Sequence, residues 1–572
     1  MPTPDSRNVN SLWSGVLVET LARLGLRRAV VSPGSRSAPL VFALARHPDI
    51  ESMPVLDERS AAFFALGLAR RERHPVLLLC TSGTAGANYF PAVIEAQESG
   101  IPLIVMTADR PPEMRACASG QTIDQQNLFG AHVNFFHEFG VPEASEPRLR
   151  YVRQTAAHAW ARSLSPRPGP VHLNAPFRDP LPPVADLSTE KFAEGIDWDR
   201  FFAQLAPPFP SDPLSLLPSW PADSKGLIVA GPAQPADPEA YAAAVGEIAR
   251  KLGWPVLADG LSPVRHRAAA IPNLVTAYDA ILRNPESAEK LRPDAVLCLE
   301  DWPTSKVLRG WLELCDAPTW LASARPENRD ALHCRARQLH LSAPAIAAGL
   351  VPGRPAPGYP EAWGDHERKA RALLDEAMRQ EEGLFEPKAA WLLAQRLPKS
   401  TILFAASSMP VRDAEFFWPA NDRGIRPFFN RGANGIDGTL ATALGVAHGG
   451  KPAVLLTGDL ALLHDAGSLM LRPQFRGGLT VVLINNHGGG IFEHLPVAQF
   501  DPPFEKFFAT PQEADFGKLC AAFGVEHVLV KDWTHFSELI AELPPGIRVL
   551  ELRTDRKRDA SRRKALFAAA AH

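Results

Sequence analysis

Short apolar runs, each closed by a turn rich in Gly, Ser, Thr or Pro, recur along this chain and alternate with longer stretches of helical period. Arg28 to Val31 runs into SPGSRSAPL, Val76 to Cys80 into TSGTAGAN, and Leu103 to Met106 into TADRPPE. Ala- and Leu-rich helical stretches such as Ser60 to Arg71 lie between them. Runs of this length bounded by turns read as strands, and strands alternating with helices predict a parallel sheet covered on both faces. Ligand sites of such sheets lie at the carboxyl ends of the strands. The turn residues Ser35, Arg36, Arg110 and Arg115 are therefore expected at a common cleft.

Prolines crowd Arg167 to Pro183 (RPGPVHLNAPFRDPLPP), which reads as the exit from the first segment. A second α/β pattern follows, with strands at Leu227 to Ala230, Val256 to Ala258 and Ala295 to Leu299 and a helix from about Pro238 to Leu252. No G-x-G-x-x-G follows its first strand, so a dinucleotide fingerprint is missing. Val351 to Pro360 closes this part. The remainder holds a helix from about Ala362, the strand Thr401 to Phe404, the turn SSMPVR, the run RGANGIDG and a last strand, Arg548 to Leu552. The basic tail beyond reads as a solvated helix. These breaks predict three α/β domains with parallel sheets, over residues 1–185, 186–355 and 356–572, within the three to four that the length favours. There is no repeat of solenoid period, but the first and last thirds are α/β units of similar size.

One stretch carries more than alternation. Around Thr457 to Phe492 the strand-like Ala453 to Leu456 ends in Gly458-Asp459, and Leu462, Leu463, Ala466 and Leu469 repeat at helical spacing. A second strand, Leu479 to Ile484, then delivers Asn485-Asn486, followed by His487 and three glycines. In a parallel sheet this βαβ unit brings Asp459 and Asn486 over one edge. A carboxylate, an amide oxygen and a loop carbonyl suit a hard cation such as Mg²⁺, which also takes diphosphate oxygens. Glycines let backbone approach such phosphates closely. Either half alone is also an ordinary helix start or turn; the spacing of the two carries the reading.

Composition narrows the function classes. Lys plus Arg number 60 against 63 acidic residues, a net charge of -3, so no overall basic field points to nucleic acid or a membrane surface. Any preference for anions has to come from local arginines. Six cysteines are scattered without C-x-x-C or metal-ligand spacing, which reads as reduced thiols in a cytoplasmic protein. The opening MPTPDSRNVNS lacks the charged-then-apolar pattern of a signal peptide, and apolar runs stay too short to span a bilayer.

Candidate chemistry then falls on few side chains. Glu58, in VLDERSAAFFALG, precedes a helix that Asp57 can cap and whose positive end Glu58 can complement. Arg36, Arg110, Arg412 and Arg431 follow predicted strands in turns with Ser, Gly or Pro, which points to recognition of several carboxylates by bidentate guanidinium. Ser408 and Gln121 add neutral hydrogen bonds. Lys306, in PTSK, reads as a solvated side chain on this ground alone. His487 and His494 flank the glycine turn without an H-E-x-x-H or Ser-His-Asp order, and neither is given a catalytic role.

The spacing of GD and NN resembles the diphosphate motif of thiamine-diphosphate (ThDP) enzymes, many of which have a third Gly where this chain has Leu460. SPGSRS, DER, TSGTAGAN, TADRPPE, the Gln121 turn, SSMPVR and NRGANGIDG together resemble, along nearly the whole chain, the MenD family of ThDP-dependent synthases. The resemblance implies a pyrimidine-binding first domain and a diphosphate-binding last domain. It implies that Glu58 activates the cofactor, where a glutamate kept from bulk water suits proton transfer at the aminopyrimidine. It implies that Asp459, Asn486 and the Gly488 carbonyl hold Mg²⁺ or Mn²⁺, that Ile436 supports the bent cofactor, and that Ser408 and Leu460 contact it. Ile491, Phe492 and Leu495 would line its pocket. Ser35, Arg36, Arg110, Gln121, Lys306, Ser408, Arg412 and Arg431 would grip the substrates.

The implied reaction is decarboxylation of 2-oxoglutarate and 1,4-addition of the succinyl carbanion equivalent to isochorismate, in menaquinone or phylloquinone biosynthesis. The implied assembly is a homodimer or homotetramer with active sites between subunits. The alternative is another ThDP-dependent 2-oxo acid decarboxylase or an acetolactate-type synthase, but small apolar 2-oxo acids do not call for four arginines. A chain that keeps the fold and only binds ligand would not need Glu58.

Overall fold

The computed structural model describes residues 4–203, 205, 223–315, 317–325, 329 and 336–571. The first sheet is built from Arg28–Val31 (β1), Glu51–Pro54 (β2), Val76–Cys80 (β3), Leu103–Asp109 (β4), Phe135–Glu138 (β5) and Pro170–Pro176 (β6). All pair in parallel in the order β2-β1-β3-β4-β6-β5. Every residue of β3, β4 and β6 is buried, as expected of strands covered on both faces. The proline-rich exit from the first domain holds a strand, β6, that the sequence reading did not pick out. The strand's prolines stand only at the first and last positions, where a missing N–H is tolerated, and Val171 to Ala175 supply the interior.

The middle sheet takes Gly226–Ala230 (β7), Val256–Ala258 (β8), Leu274–Val275 (β9), Ala295–Leu299 (β10), Thr319–Ala322 (β11) and Arg337–Leu339 (β12) in the order β12-β11-β10-β7-β8-β9. This is the winding of dinucleotide-binding sheets without their glycine fingerprint. The last sheet takes Ile402–Ala405 (β13), Arg426–Phe428 (β14), Ala453–Gly458 (β15), Gly478–Asn485 (β16), Glu526–Leu529 (β17) and Gly546–Arg553 (β18) in the order β14-β13-β15-β16-β18-β17. It repeats the winding of the first sheet strand for strand. Three parallel, helix-covered sheets are the predicted class. In the first and last, the winding reverses between the first and third strands, the place where sheets of this kind bind ligands beyond the strand ends.

The chain divides into two compact units, Met1–Ser211 with Asn430–His448 and Asp465–Phe475, and Asp212–Phe429 with Gly449–His464 and Arg476–His572. Within the first, helix Glu58–Glu72 touches helix Thr439–Ala447 backbone to backbone. A Cβ on Gly67 would stand 2.2 Å from the Thr442 carbonyl oxygen, so only glycine fits there. The run RGANGIDG thus sits in the unit that holds Glu58, although sequence order puts it in the last third. The C-terminal helix, Arg556–Ala570, is more than solvated: it buries Arg556, Asp559, Ala560, Arg563 and Phe567. Among the described residues no helix is long and apolar enough to cross a membrane, and five cysteines are free.

Candidate functional site

In the first unit the turns after β1 and β3 press together at the switch point. A Cβ on Gly34 would stand 2.2 Å from Thr81 Cβ. Beneath them the buried Tyr89 hydroxyl donates to the Leu79 carbonyl (2.9 Å) and lies 3.1 Å from Ser32 Oγ. Burial, then Cys80 and, among weaker causes, the Glu58 carboxylate push the Tyr89 phenol well up. Glu58 is half-buried at the start of its helix. The cap falls to Asp57, whose carboxylate accepts from the Arg59 N–H at 2.9 Å.

Arg36, after β1, is 3% exposed; its Nη1 donates to the Phe177 carbonyl at 2.8 Å and stands 3.6 Å from the Asp179 carboxylate. Burial, then the adjacent Arg110, hold its pKa below the usual guanidinium value. Two neighbouring guanidinium groups repel each other, and an anion between them would relieve that repulsion. Arg110 is half-buried, with Nε buried and unpartnered, and Ser35 is exposed beside Arg36. Gln121 is exposed, held at φ +55°, and donates through Nε2 to the Ser82 carbonyl at 3.0 Å. The Arg115 guanidinium is taken up by carboxylates: it pairs with Asp109 at 2.9 Å and Glu138 at 3.0 Å. Arg431 and Ile436 are half-buried in a turn whose Ala433 N–H donates to the buried Glu95 at 2.8 Å, and the Ile436 carbonyl accepts from Thr439 at 2.8 Å.

A polar network joins the ends of β4, β5 and β6. Asn174 donates to Asp109 (2.9 Å) and Glu138 (3.0 Å) and accepts from Gln125 (3.0 Å) and Thr107 (2.7 Å). Since the Thr107 hydroxyl donates to Asn174, it accepts from His172 Nε2, 2.8 Å away. Burial brings the His172 pKa down to about 3, so the folded ring stays neutral. A depressed folded pKa contributes stability that is complete above the unfolded value of 6.5 and is lost as pH falls towards 3. Between pH 7 and pH 5 this group is expected to cost the parent about 2 kcal/mol at 1.4 kcal/mol per pH unit. His172→Gln keeps a donor for Thr107 and does not titrate. Its urea midpoint should therefore fall less than the parent's over that range, and equal falls would rule out this origin.

In the second unit the switch point carries Ser408 after β13 and Asp459 after β15. Ser408 has φ +74°, a backbone value that costs a non-glycine residue about 1–3 kcal/mol and that clusters at ligand sites. Its carbonyl accepts from Arg412 Nη1 at 2.5 Å. Asp459 is 4% exposed, and its two oxygens accept from the Leu460 N–H (2.7 Å) and the Gly488 N–H (2.8 Å). Burial nonetheless pushes its carboxyl up to about 6. Gly458 has open space where a Cβ would stand. The turn after β16 needs its glycine: Gly488 has φ +130°, and a Cβ would meet the Ala509 carbonyl oxygen at 2.3 Å.

Asn486 is buried, and its carbonyl oxygen has no hydrogen-bond partner, whereas its Nδ2 donates to Glu386 at 2.6 Å. A buried acceptor left unpaired costs about 1–3 kcal/mol, and a cation bound by oxygen ligands would offset it. The residues present fit a hard divalent metal in this respect. Among the described residues no group of three or more His, Cys, Asp or Glu offers another metal centre. Ile491 and Phe492 are half-buried, Leu495 is 36% exposed, and the Phe492 ring meets Phe508 edge-on at 5.8 Å. Lys306 is exposed at the start of helix Lys306–Cys315, after β10. Glu386 is the residue that sequence reasoning missed. Glu-Pro at a helix start reads only as local helix chemistry, and no signal in the chain couples it to an asparagine 100 positions away.

Comparison with known proteins places the chain in a family. Residues 13–128 match the model described as thiamine pyrophosphate enzyme, N-terminal TPP binding domain, residues 216–405 the middle domain of thiamine pyrophosphate, and residues 414–549 the C-terminal TPP binding domain. A curated 2-succinyl-5-enolpyruvyl-6-hydroxy-3-cyclohexene-1-carboxylate synthase from Gloeothece citriformis is 51% identical over 570 residues, 98% of this chain and 98% of that protein. One of the same name from Microcystis aeruginosa is 52% identical over 96% of this chain and 97% of its own length. A crystal structure of benzoylformate decarboxylase from Polynucleobacter necessarius superposes with a TM-score of 0.66 over 95% of this chain and 98% of that one. At 16% identity that likeness is one of fold.

Proposed function

The chain belongs to the 2-succinyl-5-enolpyruvyl-6-hydroxy-3-cyclohexene-1-carboxylate synthases, and from that premise we propose that it decarboxylates 2-oxoglutarate and joins the succinyl carbanion equivalent to isochorismate by 1,4-addition, a ThDP-dependent step towards menaquinone or phylloquinone. The observation that carries this reading is identity of 51% sustained over 98% of the chain. ThDP, when bound, supplies an electron sink for loss of carbon dioxide and for the carbon–carbon bond that follows.

The protein's own residues bind, orient and move protons. Asp459, Asn486 and the Gly488 carbonyl would hold Mg²⁺ or Mn²⁺ against the diphosphate, a reading supported by the unpaired Asn486 oxygen. Glu58 would hold a proton at the aminopyrimidine ring nitrogen. Ile436, Ile491, Phe492 and Leu495 would shape the apolar pocket, with Ser408 and Leu460 beside the cofactor. Ser35, Arg36, Arg110, Gln121, Arg412 and Arg431 would take the carboxylates and hydroxyls of the substrates, and Lys306 would add a cation from the middle domain. The division assigned is a pyrimidine-binding domain at 1–185, a central domain at 186–355 and a diphosphate-binding domain at 356–572. The assembly in this reading is a cytoplasmic homodimer or homotetramer with shared sites.

The direct test supplies ThDP, Mg²⁺, 2-oxoglutarate and isochorismate and follows carbon dioxide together with loss of isochorismate. Turnover is expected to require both substrates; faster turnover of pyruvate alone would reject the reading. Arg110→Ala is expected to raise KM for one of the two substrates about tenfold to a hundredfold, the worth of one charge-assisted hydrogen bond. ThDP affinity by calorimetry should not move. Loss of ThDP binding instead would put this arginine on the diphosphate.

A further inference from the structure

The Asn486 amide has a fixed direction, and the residues that fix it lie behind the site. Its Nδ2 donates to Glu386 Oε1 at 2.6 Å, with Glu386 2% exposed at the start of helix Glu386–Arg396. The other carboxylate oxygen, Oε2, accepts from Arg563 Nη2 at 2.5 Å. Arg563, also 2% exposed, is held in turn by Asp413 through contacts of 2.9, 2.9 and 3.1 Å. The Glu386 N–H is anchored on Asp559 at 3.1 Å.

An amide is nearly symmetric in shape, so packing alone does not tell its oxygen from its nitrogen; a partner that only accepts or only donates does. A guanidinium only donates, which obliges Glu386 to turn an acceptor towards Arg563. A carboxylate only accepts, which obliges Asn486 to give Glu386 its NH₂ group. The carbonyl oxygen is then left buried with no donor. We propose that Glu386, held by Arg563 and Asp413, is a positioning residue that aims the Asn486 oxygen at the divalent cation. The inference rests on the metal reading of Asp459, Asn486 and Gly488 given above.

The test reads metal affinity. Mg²⁺ is titrated calorimetrically into the full chain with ThDP present and substrates absent. In Glu386→Gln the single amide oxygen is claimed by Arg563, an NH₂ group faces Asn486, and the asparagine turns over to offer NH₂ to the cation. Mg²⁺ affinity should fall about 10- to 100-fold, the usual effect of losing an outer-shell partner. Asn486→Asp should weaken Mg²⁺ as well, because two carboxylates then face each other without a proton, although a carboxylate by itself is the stronger Mg²⁺ ligand. The double variant restores the pattern: the new amide accepts from Arg563 and donates to the new carboxylate, which keeps one oxygen for the cation. Its affinity should return to within about tenfold of the parent, a coupling that independent sites do not show.

Parental affinity in Glu386→Gln, or a double variant no better than the weaker single, would overturn the proposal. The swap conserves charge and hydrogen bonds, so a double variant that does not fold also counts against it. If the parent itself binds ThDP without need of Mg²⁺, or Asp459→Ala binds as the parent does, the metal reading fails first. If both controls hold, only the role of Glu386 is at stake.

Discussion

Glu58→Gln is expected to lose about 10²- to 10⁴-fold in turnover, the range of a positioned proton donor, while it binds ThDP and Mg²⁺ as the parent does. The substitution is nearly isosteric at the half-buried start of helix Glu58–Glu72. The cap of that helix is made by Asp57 and stays in place. An amide can still accept or donate a hydrogen bond at the cofactor ring, but it cannot give up and regain a proton at neutral pH. Binding and turnover therefore separate. Calorimetry with ThDP should superpose on the parent, while carbon dioxide release from 2-oxoglutarate collapses. A variant as active as the parent would remove Glu58 from the chemistry. A variant that no longer binds ThDP would make Glu58 an anchor for the cofactor.

What could be read from sequence follows how locally each feature is encoded. The strands at β7, β8, β10, β15 and β16 were legible because each is an apolar run closed by its own turn. GD and NN were legible for the same reason, each ending a strand of one βαβ unit. Strand β6 was not, because prolines at its two ends disguise five buried residues between them. Arg115 looked like a ligand-side cation until two carboxylates, Asp109 and Glu138, took both ends of its guanidinium. The shared winding of the first and last sheets showed in sequence only as similar size, since strand order depends on which strands pair across long separations. Glu386 and Arg563 lay furthest out of reach. Each looks like ordinary helix surface until helix packing buries them together, 177 positions apart.

Mixing two inactive variants is expected to give back activity, and this bears on the assembly directly. Glu58→Gln lacks the proton donor, and Asp459→Ala lacks the carboxylate proposed for the metal, so each homo-oligomer should be nearly inactive with saturating ThDP. Suppose each site takes its glutamate from one subunit and its metal ligands from the other. In co-expressed, randomly assorted oligomers a site is intact when the first comes from the Asp459→Ala chain and the second from the Glu58→Gln chain. Each condition holds for half the sites, so about a quarter of parental activity should return, for dimers and for tetramers made of dimers alike. The gain over the Glu58→Gln variant alone is then about 25-fold to 2,500-fold, given the loss expected for that variant. Sites completed within one chain give the opposite result, since every chain then carries a lesion in its own site and no assortment repairs it. A mixture that stays at the residual rate, with hybrid oligomers verified by two affinity tags, would place the proton donor and the metal ligands of each site on a single chain.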